Sequence, residues 1–485
     1  MRKLQVLFIS TPAVGNLVPT VEFAQRLTDH DPRFSSTVLI ISMAQRPIVN
    51  AYIQSCCSTA SSATAINFIH LPSPEDPPSP DQYQSSFGYM CLLIDRHKVH
   101  VKHAISQLLH NEVQVSGLFV DMFSTSMVDV ADELNIPCYL YFASPASFLG
   151  FMLHLPILDT QLATDFIDSD NDSIVPKDPS TKLIIPGFAN PLPPQVLPTY
   201  VLRRKQDGYS WFLYHASRYK ETKGMVVNTF QALEQHAINS LSASGLPPIY
   251  PIGPVLDLGG PIQWHPNRGQ HHTILKWLDD QPMSSVVFLC FGSMGSLGSS
   301  QLREIAIALE RTGFRFLWSI REPGKGKLDV PADYANAKEI LPEGFLDRTA
   351  GIGLVCGWVP QVTILAHQAI GGFISHCGWN SILESLWRGV PIATWPIYAE
   401  QQMNAFQLVK ELGLAVEIRL DYRNEGNDLV PSEEVERGIK CLMEGDNEVR
   451  KRVKEMSQKS RIAAVENGSS YASLTSLTDR LAAGI

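Results

Sequence analysis

Short runs of β-branched and aromatic residues, each followed by a stretch of helical character, recur from the start of this 485-residue chain. Residues 4–10 read as a buried strand, followed by a turn and a helix from about Val18 to Leu27. Further strands are expected at 37–42, 66–71, 117–120, 138–142 and 225–228. The runs are apolar throughout rather than alternating, so each strand needs cover on both faces, which implies parallel sheet flanked by helices. The pattern then starts again, with runs at 286–291, 314–319, 353–356, 372–375 and 391–394. Between the two series stands Tyr250-Pro-Ile-Gly-Pro-Val255 and a turn-rich stretch reaching His272, without helical period. The expectation is an α/β chain of two doubly wound domains. The first covers 1–255, a linker covers 256–272, the second covers 273–465, and a helix within 466–485 packs back on the first domain. Length agrees, because single cores stop growing near about 250–300 residues. Such sheets bind ligands beyond the carboxyl ends of their strands, so the expected site is a cleft that the two domains face.

Composition excludes several classes. With 39 basic against 48 acidic residues the net charge is −9, which gives no general grip on nucleic acid. A local phosphate site is still possible, because backbone amides hold phosphate without a basic excess. The eight cysteines include no C-x-x-C pair and mostly lie in apolar runs, as expected for reduced, buried thiols of a cytoplasmic protein. The apolar run from Val6 to Ile9 is too short for a signal segment, and no stretch approaches the roughly 18 apolar residues of a membrane-spanning helix. The sequons at Asn171 and Asn467 are then chance matches. Residues 72–80 and 188–198 are proline-rich loops, the second a candidate cover for a pocket, while 446–465 and 470–483 read as surface helices. A monomer is expected.

The stretch from Trp358 to Gln401 carries the chemistry. In its middle stands His376-Cys-Gly-Trp-Asn-Ser-Ile-Leu-Glu384, which reads as a strand end, a turn and a helix start. The N-terminus of a helix offers backbone N–H groups and the positive end of a dipole, so Asn380 and Ser381, with two short polar side chains, suit a pyrophosphate. His376 can add a hydrogen bond, Glu384 one turn on can accept from two ribose hydroxyls, and Trp358 offers a flat face to a uracil ring. Taken singly, Trp358 and Trp379 would be core aromatics and Glu384 a solvated helix residue; their joint spacing favours the site.

These residues resemble the signature box of the plant secondary-product glycosyltransferases, the family-1 UDP-sugar enzymes. Trp358-Val-Pro-Gln361 opens the box and Tyr398-Ala-Glu400-Gln401 closes it. Phe119-Val-Asp121, Ile252-Gly-Pro254, Trp277-Leu-Asp279 and Phe291-Gly-Ser293 also have counterparts there, so the resemblance covers nearly the whole chain. It implies a GT-B fold of two Rossmann-like domains and a UDP-glycosyltransferase of secondary metabolism. UDP-glucose would be a donor substrate, with no cofactor. Trp358 and Gln361 would hold the uracil and Glu384 the ribose. Ser293, His376, Asn380 and Ser381 would hold the pyrophosphate and Glu400 and Gln401 the sugar, with Val359, Gly378, Trp379 and Tyr398 also in the UDP-sugar site. Gln401 at the end of the box looks like the glucose users. The resemblance points to a flavonoid, phenolic or terpenoid acceptor, which an apolar pocket would receive; Phe123, Phe142, Phe148, Phe188 and Leu197 are candidates.

One position departs. In that family the first turn carries a Gly-His pair whose imidazole takes the acceptor's proton, oriented by an aspartate. Asp121 is present here, but the turn reads Pro12-Ala-Val-Gly15-Asn16. An amide has no useful basicity near neutral pH, so Asn16 cannot be a general base, although it can hydrogen-bond the acceptor hydroxyl and Asp121. Three readings follow: a glucosyltransferase disabled by this exchange, an enzyme that works without the imidazole, or a non-catalytic binder of UDP-sugars or metabolites. His97, His100 and His103, spaced by three, read as a polar helix stripe rather than a metal site. A dehydrogenase is disfavoured because the first strand–helix turn lacks G-x-G-x-x-G. A metal-dependent transferase is disfavoured because no D-x-D pair stands in a turn after a strand where it could hold a cation; Asp168-Ser-Asp170 fits the letters but lies in a polar loop.

Overall fold

The computed structural model describes residues 3–43, 46–59, 66–168, 173–243, 245–260, 268–326, 328–424, 428–444 and 447–484. The chain divides into two compact units. Unit 1 contains Met1–Pro194, Thr199–Asp257 and Ser460–Ile485; unit 2 contains Gln195–Pro198 and Leu258–Lys459. The Asn171 sequon, Asp170 and most of the turn-rich stretch after Gly260 fall outside the described residues.

Unit 1 is built on β1 (Leu4–Ile9), β2 (Phe34–Ile40), β3 (Ile66–His70), β4 (Val115–Asp121) and β5 (Cys138–Phe142). A small antiparallel pair, β6 (Phe166–Asp168) and β7 (Ile174–Pro176), stands apart. Then β8 (Met225–Val227) and β9 (Ile249–Pro251) complete a parallel sheet of order β3-β2-β1-β4-β5-β8-β9. Consecutive residues of β1, from Val6 to Ile9, are at most 1% exposed, which is what burial on both faces requires. Phe8 stacks on Phe119 across the β1–β4 pair at 5.1 Å, and Phe23 from the covering helix meets both rings edge-on.

Unit 2 repeats the plan with β10 (Val286–Cys290) and β11 (Arg315–Ser319), a short hairpin of β12 (Arg321–Glu322) and β13 (Ala332–Asp333), then β14 (Gly353–Cys356), β15 (Ile370–Ser375), β16 (Ile392–Thr394) and β17 (Ala415–Glu417). Its parallel sheet has the order β14-β11-β10-β15-β16-β17. Trp318 and Trp395, both 0% exposed, fill its core.

In both sheets the order reverses beside the first strand. From β1 the chain moves outward to β2 and β3, then returns to place β4 on the other side; β10, β11, β14 and β15 do the same. Crossovers leaving to opposite sides open a crevice at the carboxyl ends of β1/β4 and of β10/β15.

The opening helix runs over Val14–His30, so it starts four residues earlier than expected and takes in Pro19. Gly15 and Asn16 therefore lie in its first turn rather than in a preceding loop. The histidine stripe is corrected as well. His97 is 1% exposed and joins the helices Ser86–Arg96 and Lys98–His110, its Nδ1 lying 2.7 Å from the Leu93 carbonyl oxygen.

The last helix, Ser469–Ala483, belongs to unit 1. Leu474, Leu477 and Leu481 recur at helical spacing, are at most 1% exposed, and the helix packs on β9, β4 and the helix Val14–His30. Truncating Leu477 to alanine leaves a cavity in this seam and is expected to cost about 2–5 kcal/mol. Thermal unfolding should then show an earlier transition; an unchanged profile would mean that the helix is not part of the unit 1 core.

Candidate active site

The C-terminal ends of β10 and β15 are paired neighbours, Cys290 beside Ser375, so the loops that follow them rise side by side. After β15 the chain turns through Cys377 at φ +62° and enters the helix Trp379–Arg388, whose N-cap is Gly378. Ser375 Oγ accepts from the Cys377 N–H at 3.1 Å, and Asn404 Nδ2 donates to the Cys377 carbonyl at 3.0 Å, which together hold the left-handed turn. The first bond of the helix runs from the Ile382 N–H to the Gly378 carbonyl. Amides ahead of it lie outside the ladder and point along the positive end of the helix dipole.

His376 sits in this turn, 6% exposed, with its ring between two glycines. A Cβ on either Gly292 or Gly378 would stand 2.6 Å from His376 Nε2. Burial pushes the imidazole down to about 4, so it is neutral at physiological pH. Its Nδ1 is buried with no hydrogen-bond partner among the described residues, so the edge left to meet a ligand is Nε2. The Tyr398 ring lies 6.4 Å away.

A second cluster stands one turn along the helix. Gln361, half-buried at the start of the helix Gln361–Leu365, donates from Nε2 to Ser381 Oγ at 2.8 Å and to Glu384 Oε2 at 2.7 Å. This bridge fixes the carboxylate of Glu384 beside the first turn. Trp358 is half-buried, with its backbone N–H donating to Asp333 Oδ1 at 2.9 Å and its ring 5.6 Å from that of His271. Val359 is buried beneath it, and Trp379 is core-facing at 3% exposure. Ser293 is exposed on the loop after β10. Glu400 is half-buried at the head of the helix Gln401–Phe406, and Gln401 Oε1 accepts from the N–H groups of Ile397 and Tyr398. Gln401 thus shapes the loop with its oxygen, while its amide N–H groups form no hydrogen bond among the described residues.

In unit 1 the crevice between β1 and β4 is closed by Asp121, 2% exposed. Its Oδ2 accepts from the Thr11 N–H at 2.6 Å and Ser10 Oγ at 3.2 Å, and its Oδ1 from Thr11 Oγ1 at 3.0 Å and the Phe123 N–H at 3.1 Å. Four donors meet the roughly four acceptor positions of a carboxylate. Burial, the larger influence, raises the Asp121 carboxyl above its ordinary range, against the lowering effect of the Thr11 and Phe123 donors. Asn16 is half-buried in the first helical turn; its backbone oxygen accepts from Thr20 Oγ1, and its side chain forms no hydrogen bond among the described residues. The expected Asn16–Asp121 bond is therefore absent, because Ser10, Thr11 and Phe123 already occupy the carboxylate.

The apolar candidates divide. Phe123 is half-buried in an aromatic cluster with Phe87 at 4.7 Å and Phe212 at 5.8 Å, to which Tyr200 adds a ring stacked on Phe87. His215 joins it, with Nδ1 2.8 Å from Thr125 Oγ1, and is held down near 3 by burial. Phe188 is 7% exposed. Phe142, Phe148 and Leu197 are corrected: at 0, 2 and 0% exposure they are packed in the interior and offer no face to a ligand. Ser10, Thr11, Asp333 and His215 escaped the sequence reading, as did the contact of Gly292 with His376. Only Ser10-Thr11-Pro12, directly after a strand, carried a local signal; Asp333 reaches Trp358 from a remote hairpin. Among the described residues, no group of three or more His, Cys, Asp or Glu side chains is arranged to hold a metal ion.

Two parallel sheets, each with polar groups gathered at its own switch point and a helix N-terminus in the second, make up a glycosyltransferase of the GT-B fold. The chain belongs to the UDP-glucoronosyl and UDP-glucosyl transferase family, whose model matches residues 209–454. It is 56% identical over 489 residues to UDP-glycosyltransferase 43 of Pueraria montana var. lobata, covering 99% of this chain and 100% of that one. It is 47% identical over 493 residues to UDP-glucose flavonoid 3-O-glucosyltransferase 6 of Fragaria ananassa, covering 98% of each. The crystal structure of Medicago truncatula UGT71G1 complexed with UDP-glucose superposes with a TM-score of 0.87 at 45% identity, covering 99% of this chain and 98% of that one.

Two expectations follow from the His376 seat. Gly378 has φ −65°, open to any residue, so Gly378→Ala tests the steric contact alone. It should displace the imidazole and weaken UDP binding at least tenfold by calorimetry with the melting profile retained; unchanged affinity would show that the ring plays no part. A neutral buried histidine adds stability that is complete above the unfolded value of about 6.5 and is lost as pH falls toward about 4. By proton NMR its ring should titrate near 4, and a midpoint near 6.5 would contradict the burial argument.

Proposed function

We propose that this UDP-glycosyltransferase moves glucose from UDP-glucose to a hydroxyl of a small apolar acceptor, a flavonoid, phenolic or terpenoid, and that Asn16 limits its turnover. The observation that carries the donor reading is the neutral imidazole of His376 at the N-terminus of the helix Trp379–Arg388, beside the bridge from Gln361 to Glu384. An Nε2–H on His376 and the leading amides of the helix would meet the pyrophosphate. Glu384, steadied by Gln361, would accept from the ribose hydroxyls, and the half-buried face of Trp358 would stack on the uracil. Glu400 and the unspent amide N–H groups of Gln401 would hold the sugar hydroxyls. The UDP-glucose bound to UGT71G1 and the flavonoid glucosyltransferase from Fragaria ananassa support this donor and this acceptor class.

In the transfer, the acceptor oxygen attacks the anomeric carbon as its bond to UDP breaks, and the configuration inverts. The charge growing on UDP is stabilised by donors already in place, His376 Nε2–H and the helix dipole. The acceptor's proton is the difficulty. Asn16 cannot take it, and Asp121 is buried with both oxygens engaged. The expected consequence is strong binding with slow chemistry, eased for acceptors that shed the proton to solvent before attack.

Glucoside formation should be measured for the parent chain and Asn16→His across a panel of phenols. The histidine variant should gain about 10²- to 10⁴-fold in kcat/KM with UDP affinity unchanged. The parent rate should climb with pH until the acceptor itself ionises. Equal rates would mean a working mechanism without imidazole. No product from either chain, with UDP still bound, would leave the non-catalytic binder as the surviving reading.

A further inference from the structure

The helix Gln401–Phe406 in unit 2 is buried along its whole length, yet three of its six residues carry amide side chains. Gln401 is 2% exposed, Gln402 0% and Asn404 2%. Taking an amide out of water is costly unless it is hydrogen-bonded, so each of them calls for a partner. All three find main chain, each in a different segment. Gln401 Oε1 accepts from the Ile397 and Tyr398 N–H groups at 2.9 and 3.0 Å. Gln402 Nε2 donates to the Tyr422 carbonyl at 2.9 Å. Asn404 Nδ2 donates to the Cys377 carbonyl at 3.0 Å, while its Oδ1 is buried with no partner among the described residues. The donor is thus the half of the Asn404 amide that the fold uses.

Two of these segments hold an unfavourable backbone conformation. Cys377 has φ +62° and Ala399 φ +57°, left-handed values at residues that carry a Cβ. Such a conformation persists where the surroundings impose it. Gln401 fixes the main chain just ahead of Ala399. At Cys377 the N–H is taken by Ser375 Oγ at 3.1 Å and the carbonyl by Asn404. Positions 401 and 404, three apart, stand on one side of the same helical turn. Cys377 joins His376 to Gly378, the N-cap of the helix Trp379–Arg388, so its dihedrals set how the imidazole stands to the leading amides of that helix.

We propose that Asn404 is a positioning residue for the transfer: it pins the left-handed turn at Cys377 to the helix that begins with Gln401, so that the His376 imidazole and the amide proposed for the sugar are set by one helical turn. The ligand part rests on the proposed function; the placement of the ring does not. Asn404 acts through the Cys377 carbonyl rather than on the ligand. A glycine at position 377 would hold φ +62° at no steric cost, so a chain carrying it has less need of Asn404.

The test compares Asn404→Ala and Asn404→Leu in the parent chain and in a chain carrying Cys377→Gly. Leucine fills nearly the same volume and suits a buried site, so it deletes the donor while keeping the packing. Calorimetric affinity for UDP should fall about tenfold with either substitution in the parent, and less than threefold in the Cys377→Gly background. Equal losses in the two backgrounds overturn the proposal, because a packing role would not depend on the residue at 377. Without ligand, the His376 ring should titrate near 4 in the parent and closer to 6.5 in Asn404→Leu, as a loosened turn lets water reach it. An unmoved titration also overturns the proposal. A parent chain that binds no UDP would instead sink the donor reading, and the ligand-free titration would still decide whether Asn404 places the ring.

Discussion

Two parallel strands that lie side by side, with their crossovers leaving in opposite directions, cannot fill the space above their carboxyl ends. That constraint governs both halves of this molecule. The pairs β1/β4 and β10/β15 sit where the strand order reverses; Asp121 ends β4 at the first, and His376 lies in the turn directly after β15 at the second. Below the crevice the strands are sealed on both faces by apolar residues at or near 0% exposure, so loops carry the function and the sheets fix their origin.

The two crevices solve opposite electrostatic problems. In unit 2 the donor site proposed above would have to meet a large negative charge without a surplus of basic residues, and oriented dipoles would do so. A glycine-walled turn admits one imidazole, burial keeps it neutral, and the helix Trp379–Arg388 supplies its positive end. A neutral donor suits a leaving group that must depart, because it stabilises the anion without trapping it as a permanent ion pair would. In unit 1 the task is to keep a buried carboxylate from destabilising the sheet. Four short-range donors from Ser10, Thr11 and Phe123 do this, and they tie the end of β1 to the end of β4. Asp121 is therefore a structural clamp in this chain whatever else it does, and the clamp is complete without Asn16.

The strand series, the restart of the pattern and the box from Trp358 to Gln401 were legible because each is local: continuous apolar runs, then turn residues, then helix starters. What escaped was set by distance or by brevity. The strands β9 and β17 span three residues each, too few for a period to show. The helix Val14–His30 begins ahead of Pro19 because a proline in the second turn is tolerated when the helix already packs on the sheet, a tertiary effect that no local rule expresses. Phe142, Phe148 and Leu197 read as pocket residues because an aromatic or aliphatic side chain looks alike in a core and in a cleft. The bond between Trp358 and Asp333, and the seat that Gly292 makes for His376, join residues remote in sequence, and only the register of β10 against β15 brings the second pair together.

Asn16 gains its meaning from what surrounds it rather than from what it touches. The Asp121 carboxylate has its acceptor positions filled by Ser10, Thr11 and Phe123, and the side chain of Asn16 takes no part in that cluster. On the function proposed above, folding and nucleotide binding would then be separable from proton transfer in this chain. The separation would arise because the Asp121 clamp is complete without Asn16 and the His376 seat is built by Gly292 and Gly378, so that the side chain at position 16 forms no hydrogen bond among the described residues.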